Sequence, residues 1–500
     1  MTSTPAASES AATSAVSASA PHRPVRRPLV LAAIMAASFM IAIEATIVAT
    51  AMPQIVRHLG GLQLYSWVFS SFLLAQTATT VLFGKLADLY GRKAVLLVGI
   101  AIFLAGSVLC GIAWSMPSLI AFRLLQGLGA GAIQPVSMTV VGDLYPGRER
   151  GKVQGWLASV WGVSSVVGPL AGGLIIQHVS WAWIFWINVP VGIAAAAGFF
   201  LFLHEQVAHQ RRSIDVAGAA LFTLAVAAFM LLLTELGTGG RGILLAAFAV
   251  CAASAMLFTW QEWRAVDPMV DLSLWSRRIM ATTNAATLFS GMAMIGLTTF
   301  LPMYVQVVMG RSPLVAGFML TAMVLGWPIA ATLGARHFGR FGLKPIFVLG
   351  GALIAGGSIP FVLLTPSMSP YIAGLGSLVL GFGLGFLSTA AIVIIQDSVG
   401  WAERGAATAS NVFARSLGST LGAAALGGLL NARLAGNGSG SLDHIQQLLA
   451  HGGAAGLAAS RQALAEGLHV TFWGVAAIAA TTLVLSLLVP NVALSHRDHR

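Results

Sequence analysis

"GKLADLYGRK", Gly84 to Lys93, places four charged residues, Lys85, Asp88, Arg92 and Lys93, within ten positions. No charged residue lies between Trp67 and Phe83 before it, or between Ala94 and Phe122 after it. An apolar run of about 20 residues crosses the ~30 Å hydrocarbon layer as a helix. The stretch therefore reads as a short polar loop between two spanning helices. A loop that only fixed topology would need basic residues alone. Here Asp88 can pair with Arg92 or face a helix N-terminus, and Gly84 and Gly91 permit close approach and a sharp turn.

The same punctuation runs through the chain. It has 500 residues, 57% hydrophobic and only 9% charged, where a soluble protein carries roughly 25% charged residues. Its mean hydropathy is +0.85. The apolar runs are long and do not alternate, which selects helices over barrel strands. Expected spans fall at 29–52, 65–84, 94–113, 118–141, 153–176, 183–203, 215–235, 242–260, 281–308, 314–334, 345–364, 370–395, 405–430 and 468–490. That predicts an all-α membrane protein of about 14 helices, the seventh and eighth being the least marked.

Lys and Arg alternate between loops. One set holds Arg23, Arg26 and Arg27; Lys85, Arg92 and Lys93; Arg148, Arg150 and Lys152; Arg211 and Arg212; Arg264, Arg277 and Arg278; Arg336, Arg340 and Lys344; Arg404; Arg497 and Arg500. The other holds only Arg57, Arg241, Arg311, Arg433 and Arg461. The positive-inside bias puts the first set, and both termini, in the cytoplasm. It also accounts for much of the net charge of +11, since a nucleic-acid binder would gather its basic residues in one patch. No nucleic-acid partner is expected. Cys110 and Cys251 lie in apolar runs, outside any disulfide or metal pattern.

The expected organisation is a disordered cytoplasmic tail at 1–28, a six-helix bundle at 29–203, two inserted helices with linkers at 204–280, a second six-helix bundle at 281–490 and a short tail at 491–500. The apolar run from Leu29 to Ala42 follows the basic group and leads into Glu44 with no clear small-residue cleavage site, so the segment does not read as a secretory leader. A long external loop at 431–467 carries an Asn437-Gly438-Ser439 glycosylation pattern and an amphipathic stretch at Leu442–Leu449.

The Gly84–Lys93 loop resembles the loop 2–3 signature of the major facilitator superfamily. There it is a latch between the transporter halves that stabilises the outward-open state and breaks when the cytoplasmic side opens. The resemblance implies a cytoplasmic gate of Gly84, Asp88, Gly91, Arg92 and Lys93. "GRFGLKP", Gly339 to Pro345, keeps Arg340, Gly342 and Lys344 but has Gly339 in place of the acid, implying a weaker second latch. "LIAFRLLQGLGAG", Leu119 to Gly131, resembles the fourth-helix signature with Arg123 inside the membrane, where a cation is costly and functional by default. Its Gly127-x-Gly129-x-x-Ala132 is no dinucleotide fingerprint, because no strand precedes it; close helix packing is the expected use. "GWLASVWGVSSVVGPLAGG", Gly155 to Gly173, resembles the fifth-helix antiporter motif through Gly155, Gly168, Pro169, Gly172 and Gly173, with Ser164 for a usual Gly. In the superfamily this motif marks exporters.

"IEATIVATAMP", Ile43 to Pro53, "WAWIFWINVPVG", Trp181 to Gly192, and "FLPMYVQVVMGRSPLVAG", Phe300 to Gly317, resemble hallmarks of the fourteen-helix drug:proton antiporter-2 family. Glu44 replaces the usual Asp, and Ala182 a common Arg. The resemblance implies an exporter of hydrophobic or cationic drugs, driven by the proton gradient without a cofactor, in the inner (plasma) membrane; a monomer is expected, and the high Ala and Gly content points to a bacterial origin. A dedicated exporter of one endogenous metabolite, antibiotic or lipid is the alternative on the same fold.

Glu44 lies mid-span, where burial opposes its charge and a lipophilic cation would favour it. Proton and cationic substrate can then compete for one negative site, each favouring one conformation; a structural, hydrogen-bonded acid is the plainer reading. Arg123 would join in proton coupling if close. Asp397 and Glu403 read as solvated, and Glu235, Glu262, Asp267 and Asp271 as loop or boundary residues. Candidate cavity residues between the two bundles are Gln126, Gln134, Asn284, Tyr304, Gln306, Asn411 and Arg415. The scattered His residues form no catalytic or metal set, so an enzyme is not expected.

Overall fold

A computed structural model describes residues 26–145, 147–204, 215–235, 240–265, 272–400, 404–436 and 454–491. Long helices occupy all fourteen expected positions. In the first half they are α1 (Arg27–Leu59), α2 (Tyr65–Tyr90), α3 (Arg92–Gly111), α4 (Met116–Leu144), α5 (Gly147–His178) and α6 (Asn188–Phe202). Next come α7 (Val216–Thr234) and α8 (Arg241–Arg264). The second half has α9 (Arg278–Met303), α10 (Pro313–Phe341), α11 (Leu343–Val362), α12 (Pro370–Asp397), α13 (Arg404–Gly436) and α14 (Ala454–Leu488).

Local sequence sets the ends of these helices. Ser115 caps α4 reciprocally with Ser118, Ser312 accepts from Val315 at the start of α10, and Asp215 accepts from Gly218 at the start of α7. Gly91 (φ 91°) alone separates α2 from α3, and Gly342 (φ 81°) alone separates α10 from α11. Only glycine adopts such angles at little steric cost, so the same one-residue turn is built twice. After Pro302, α9 widens into a π-helix over Tyr304–Val308.

Twelve helical segments among the described residues are long and apolar enough to cross a membrane, and the protein is a multi-pass membrane protein. The two helices outside that set fall short for different reasons. The apolar part of α7, Ala217–Leu233, is short. Helix α13 is long, but Asn411, Arg415, Ser416, Ser419 and Thr420 lower its hydropathy.

Every main packing pair of the first half recurs in the second. Helix α4 lies between α2 and α3, as α12 lies between α10 and α11. Helix α1 packs on α5 and α6, as α9 packs on α13 and α14. The halves meet through α2 on α13 and α5 on α10, one contact being the mirror of the other in this repeat. Helix α7 rests on α2 and α13, with Phe222, Val226 and Met230 packed against Leu74, Ala78 and Ala424. Among the described residues, helix α8 has only α7 as a substantial neighbour.

Two boundaries differ from expectation. Pro28 sits in the first turn of α1, where its missing N–H costs nothing, so helix begins at Arg27 rather than after residue 28. The loop expected at 431–467 is helical at both ends, to Gly436 and from Ala454. Asn437, Leu442–Leu449, Glu403, Asp267 and Asp271 lie outside the described residues, as do the tails 1–25 and 492–500. Glu262, read as a loop or boundary residue, lies near the end of α8 and is buried.

Candidate functional site

Glu44 is 1% exposed and Arg123 3% exposed. They come from α1 and α4 and form a direct, charge-assisted hydrogen bond, Arg123 Nη1 donating to Glu44 Oε1. The other carboxylate oxygen accepts from Asn188 Nδ2 at the start of α6. Arg123 Nη1 also reaches Gln126 Oε1 at 2.7 Å, and its Nε donates to the Val68 carbonyl of α2 at 3.2 Å. Its guanidinium lies 4.2 Å from the Phe72 ring centroid. Gln126 Nε2 donates to Ser107 Oγ of α3 at 2.7 Å, and Cys110 Sγ lies 3.8 Å from Gln126 Oε1. The network therefore ties five helices of the first half together. Two opposite charges so enclosed hold each other, and removing one leaves the other buried and unpaired. Asn188 Oδ1 is buried with no hydrogen-bond donor.

Sequence reading singled out Glu44, Arg123 and Gln126 but not Ser107, Phe72 or Asn188. Asn188 stands inside the quoted Trp181–Gly192 stretch. Its signal was an Asn between apolar residues at a helix start, easily read as a cap.

Helix α5 brings the glycine motif against this network. A Cβ at Gly168 would land on Thr46, and one at Gly172 would lie 2.9 Å from Ile47 Cγ1, both neighbours of Glu44 on α1. Thr46 Oγ1 reaches the Ser164 carbonyl at 3.4 Å. On its other side α5 meets the second half. Pro169 fills the space over Gly317 of α10, and Gly173 faces Leu314 at 3.5 Å. The motif is thus wedged between Glu44's helix and the opposite bundle. Gly155 lies in the same helix.

The halves are fastened at the end where α1 stops and α2 starts. Gln306 Nε2 donates to the Thr50 carbonyl at 2.8 Å, Tyr65 Oη to the Thr299 carbonyl at 2.8 Å, and Asn431 Nδ2 to the Gln63 carbonyl at 2.9 Å. Gly427 leaves room for Ser66.

At the opposite end the loop expected at Gly84–Lys93 is a one-residue turn: α2 continues through Gly84 to Tyr90, and Gly91 alone is not helical. Arg92 Nε lies 3.4 Å from Asp143 Oδ2 at the end of α4. Lys93 Nζ donates to the Phe200 carbonyl of α6 at 2.7 Å and sits over the Phe200 ring. A Cβ at Gly84 would meet nothing within 4 Å. The side chain of Asp88 lies outside the described residues.

The candidate cavity residues divide. Gln126 is enclosed in the Glu44 network. Asn284 and Asn411 are buried in a neutral knot between α9 and α13: Asn411 Nδ2 donates to Asn284 Oδ1 at 3.0 Å and Thr287 Oγ1 at 2.9 Å, and Asn284 Nδ2 to Ser410 Oγ at 3.1 Å. Tyr304 is buried, its hydroxyl donating to the Leu364 carbonyl at 3.1 Å. Gln306 bridges the halves. Gln134 and Arg415 are half-buried. The Gly127–Gly131 glycines admit close packing: Gly127 meets the Phe72 carbonyl, Gly129 meets α3 at Phe103 and Gly99, and Gly131 meets Thr79.

Comparison with known proteins agrees with this architecture. The Bacillus subtilis (strain 168) multidrug transporter protein MdtP is 36% identical over 414 residues, 82% of this chain and 76% of that protein. Multidrug resistance protein 3 of the same organism is 34% identical over 394 residues, 78% of this chain and 76% of its own length. Among solved structures, an inward-facing, unoccupied bacterial homologue of the human lysosomal transporter Spinster superposes with a TM-score of 0.66 at 17% identity, covering 93% of this chain and 98% of that one. Such a likeness shows the fold alone. Residues 34–423 match the profile of the Major Facilitator Superfamily. With two six-helix repeats, their shared packing order and this match over most of its length, the chain is a transporter rather than an enzyme and belongs to the major facilitator superfamily.

Proposed function

We propose that the protein is a proton-coupled antiporter that exports hydrophobic or cationic drugs and related small molecules by alternating access. It is a fourteen-helix member of the drug:proton antiporter-2 type, with α7 and α13 as the further spans and both termini cytoplasmic. The observation that carries this reading is the buried Glu44–Arg123–Asn188 cluster, set beside the glycine face of α5 that also contacts the opposite half. Protonation of Glu44 removes one charge of a buried pair and frees the Arg123 guanidinium to find other acceptors. The helices it ties then repack, and α5 transmits the change to α10. A proton taken up on one side and released on the other drives the cycle, because each protonation state favours one arrangement. On this reading the fastened end is external, and cargo would be loaded from the cytoplasmic side. Resemblance to multidrug transporters supports the substrate class.

Glu44 is closed to the cavity in this arrangement, so competition between proton and cargo is indirect: the internal competitor for the carboxylate is Arg123. The test uses inside-out vesicles with an acid-inside gradient and a fluorescent lipophilic cation. Wild type accumulates the dye with the gradient, and Glu44→Gln does not. Equal, gradient-dependent uptake by both removes Glu44 from coupling. No uptake of several cations by folded wild type overturns the drug-export reading.

A further inference from the structure

The second half holds one intramembrane cation that the preceding reading does not use. Arg415 lies 11 residues into α13, about 16 Å along its axis at 1.5 Å per residue. Among the described residues it has no carboxylate within ion-pair distance and no hydrogen-bond acceptor for its guanidinium. Its side chain is half-buried. Its one described side-chain contact is the Trp327 ring of α10, 5.8 Å from the guanidinium carbon. Trp327 is itself held by Nε1–H donation to Ser388 Oγ of α12 at 3.1 Å.

Position tells which open space this is. Helices α10 and α13 are not packed neighbours, and they make the most extensive contacts of the second half with the first, on α5 and α2. A side chain of α13 reaching a ring of α10 therefore runs across the face of the second half that is turned toward the first, away from lipid. An arginine facing lipid at this depth would be costly, whereas one facing a wet cavity keeps its donors solvated until a ligand arrives. Arginine's planar fork of N–H donors matches carboxylate and sulfonate oxygens, and the adjoining indole supplies an apolar wall for an aromatic body.

We propose that Arg415 and Trp327 form a subsite for amphiphilic organic anions, so that cargo bearing a carboxylate or sulfonate next to an aromatic or apolar body is accepted as well as cations. This rests on the transporter reading for its biological use, but not on proton coupling, because binding needs no gradient.

The full chain in phosphatidylcholine nanodiscs, free of anionic lipid, tests it with two dyes of nearly the same body. One is 1-anilinonaphthalene-8-sulfonate, and the other is N-phenyl-1-naphthylamine, which lacks the sulfonate. Arg415→Gln is expected to weaken the sulfonate dye about tenfold or more, the loss of a charge-assisted contact, while the neutral dye changes less than about twofold on the same grounds. Unchanged sulfonate affinity, or an equal fall for both dyes, overturns the subsite. Should Arg415→Gln not fold, wild type suffices: octanesulfonate is expected to displace the sulfonate dye at about tenfold lower concentration than octanesulfonamide, and equal displacement overturns it. Failure of the vesicle experiment with normal dye discrimination here would remove proton-coupled export and leave the subsite standing.

Discussion

The two halves share a packing order but handle buried polarity in opposite ways. In the first half, Arg123 spends its donors on Glu44, Gln126 and Val68, inside a closed bundle. In the second, the buried polar cluster between α9 and α13 is the uncharged Asn284–Asn411 knot, and Arg415 stands apart from it, beside Trp327. A closed ion pair can change state only by gaining or losing a proton or by opening the bundle. A neutral knot has no such second state, and an open arginine responds to ligands instead. Under the proposed antiport, the scaffold separates a proton-sensitive half from a ligand-facing half.

Arg123→Ala should have the largest effect, because it leaves the Glu44 carboxylate buried without its cation. The expected loss is about 3–5 kcal/mol, the usual cost of breaking a buried pair, with transport abolished. Thermal unfolding of purified protein measures the first and vesicle uptake the second. The double variant Glu44→Gln with Arg123→Met should regain most of the stability, since removing both charges removes the imbalance. It should not regain gradient-dependent uptake. If Arg123→Ala unfolds like wild type, the pair is not closed as described and the contrast between the halves is lost.

The paired one-residue turns sharpen the contrast at the other end of the molecule. Gly91→Ala and Gly342→Ala each force a non-glycine residue to a φ of 91° or 81°, costing of order 1–3 kcal/mol. The stability losses should match. The transport losses should not, because among the described residues the first turn alone has charged neighbours tied to other helices, Arg92 to Asp143 and Lys93 to Phe200, with Asp88 nearby in sequence. Equal transport losses would show that the turns act only as hinges.

These two regions also show what could be read from sequence. Helix positions were legible because apolar runs near 20 residues leave few alternatives in a bilayer. Gly91 and Gly342 were legible because a glycine between two helices has a narrow set of uses. Glu44 and Arg123 were visible as isolated charges in apolar runs, yet their pairing was not, since it depends on how α1 and α4 rotate against each other. Gln126 and Asn411 looked like cavity residues because a polar side chain in an apolar helix can face either a cavity or a neighbouring helix. Periodicity does not separate the two. Asn188 was missed for the same reason. The ends of α13 and α14 extended beyond their apolar runs because Ala-rich sequence continues a helix where hydropathy stops marking it.

The smallest effect belongs to the knot in the second half. Asn411→Ala removes two hydrogen bonds, to Asn284 Oδ1 and Thr287 Oγ1. Asn284 keeps its bond to Ser410 Oγ, and Thr287 still donates to the Thr283 carbonyl at 2.9 Å. No charge is left behind, and hydrogen bonds between membrane helices contribute about 0.6 kcal/mol on average and about 1.7 at most. The expected loss is therefore about 1 kcal/mol, read as a small fall in unfolding temperature, with dye uptake still driven by the gradient. A loss near that of Arg123→Ala, or uptake that no longer follows the gradient, would place the knot in the coupling path. The neutral half would then have a second state after all, and the division of labour between the halves would have to be redrawn around α9 and α13.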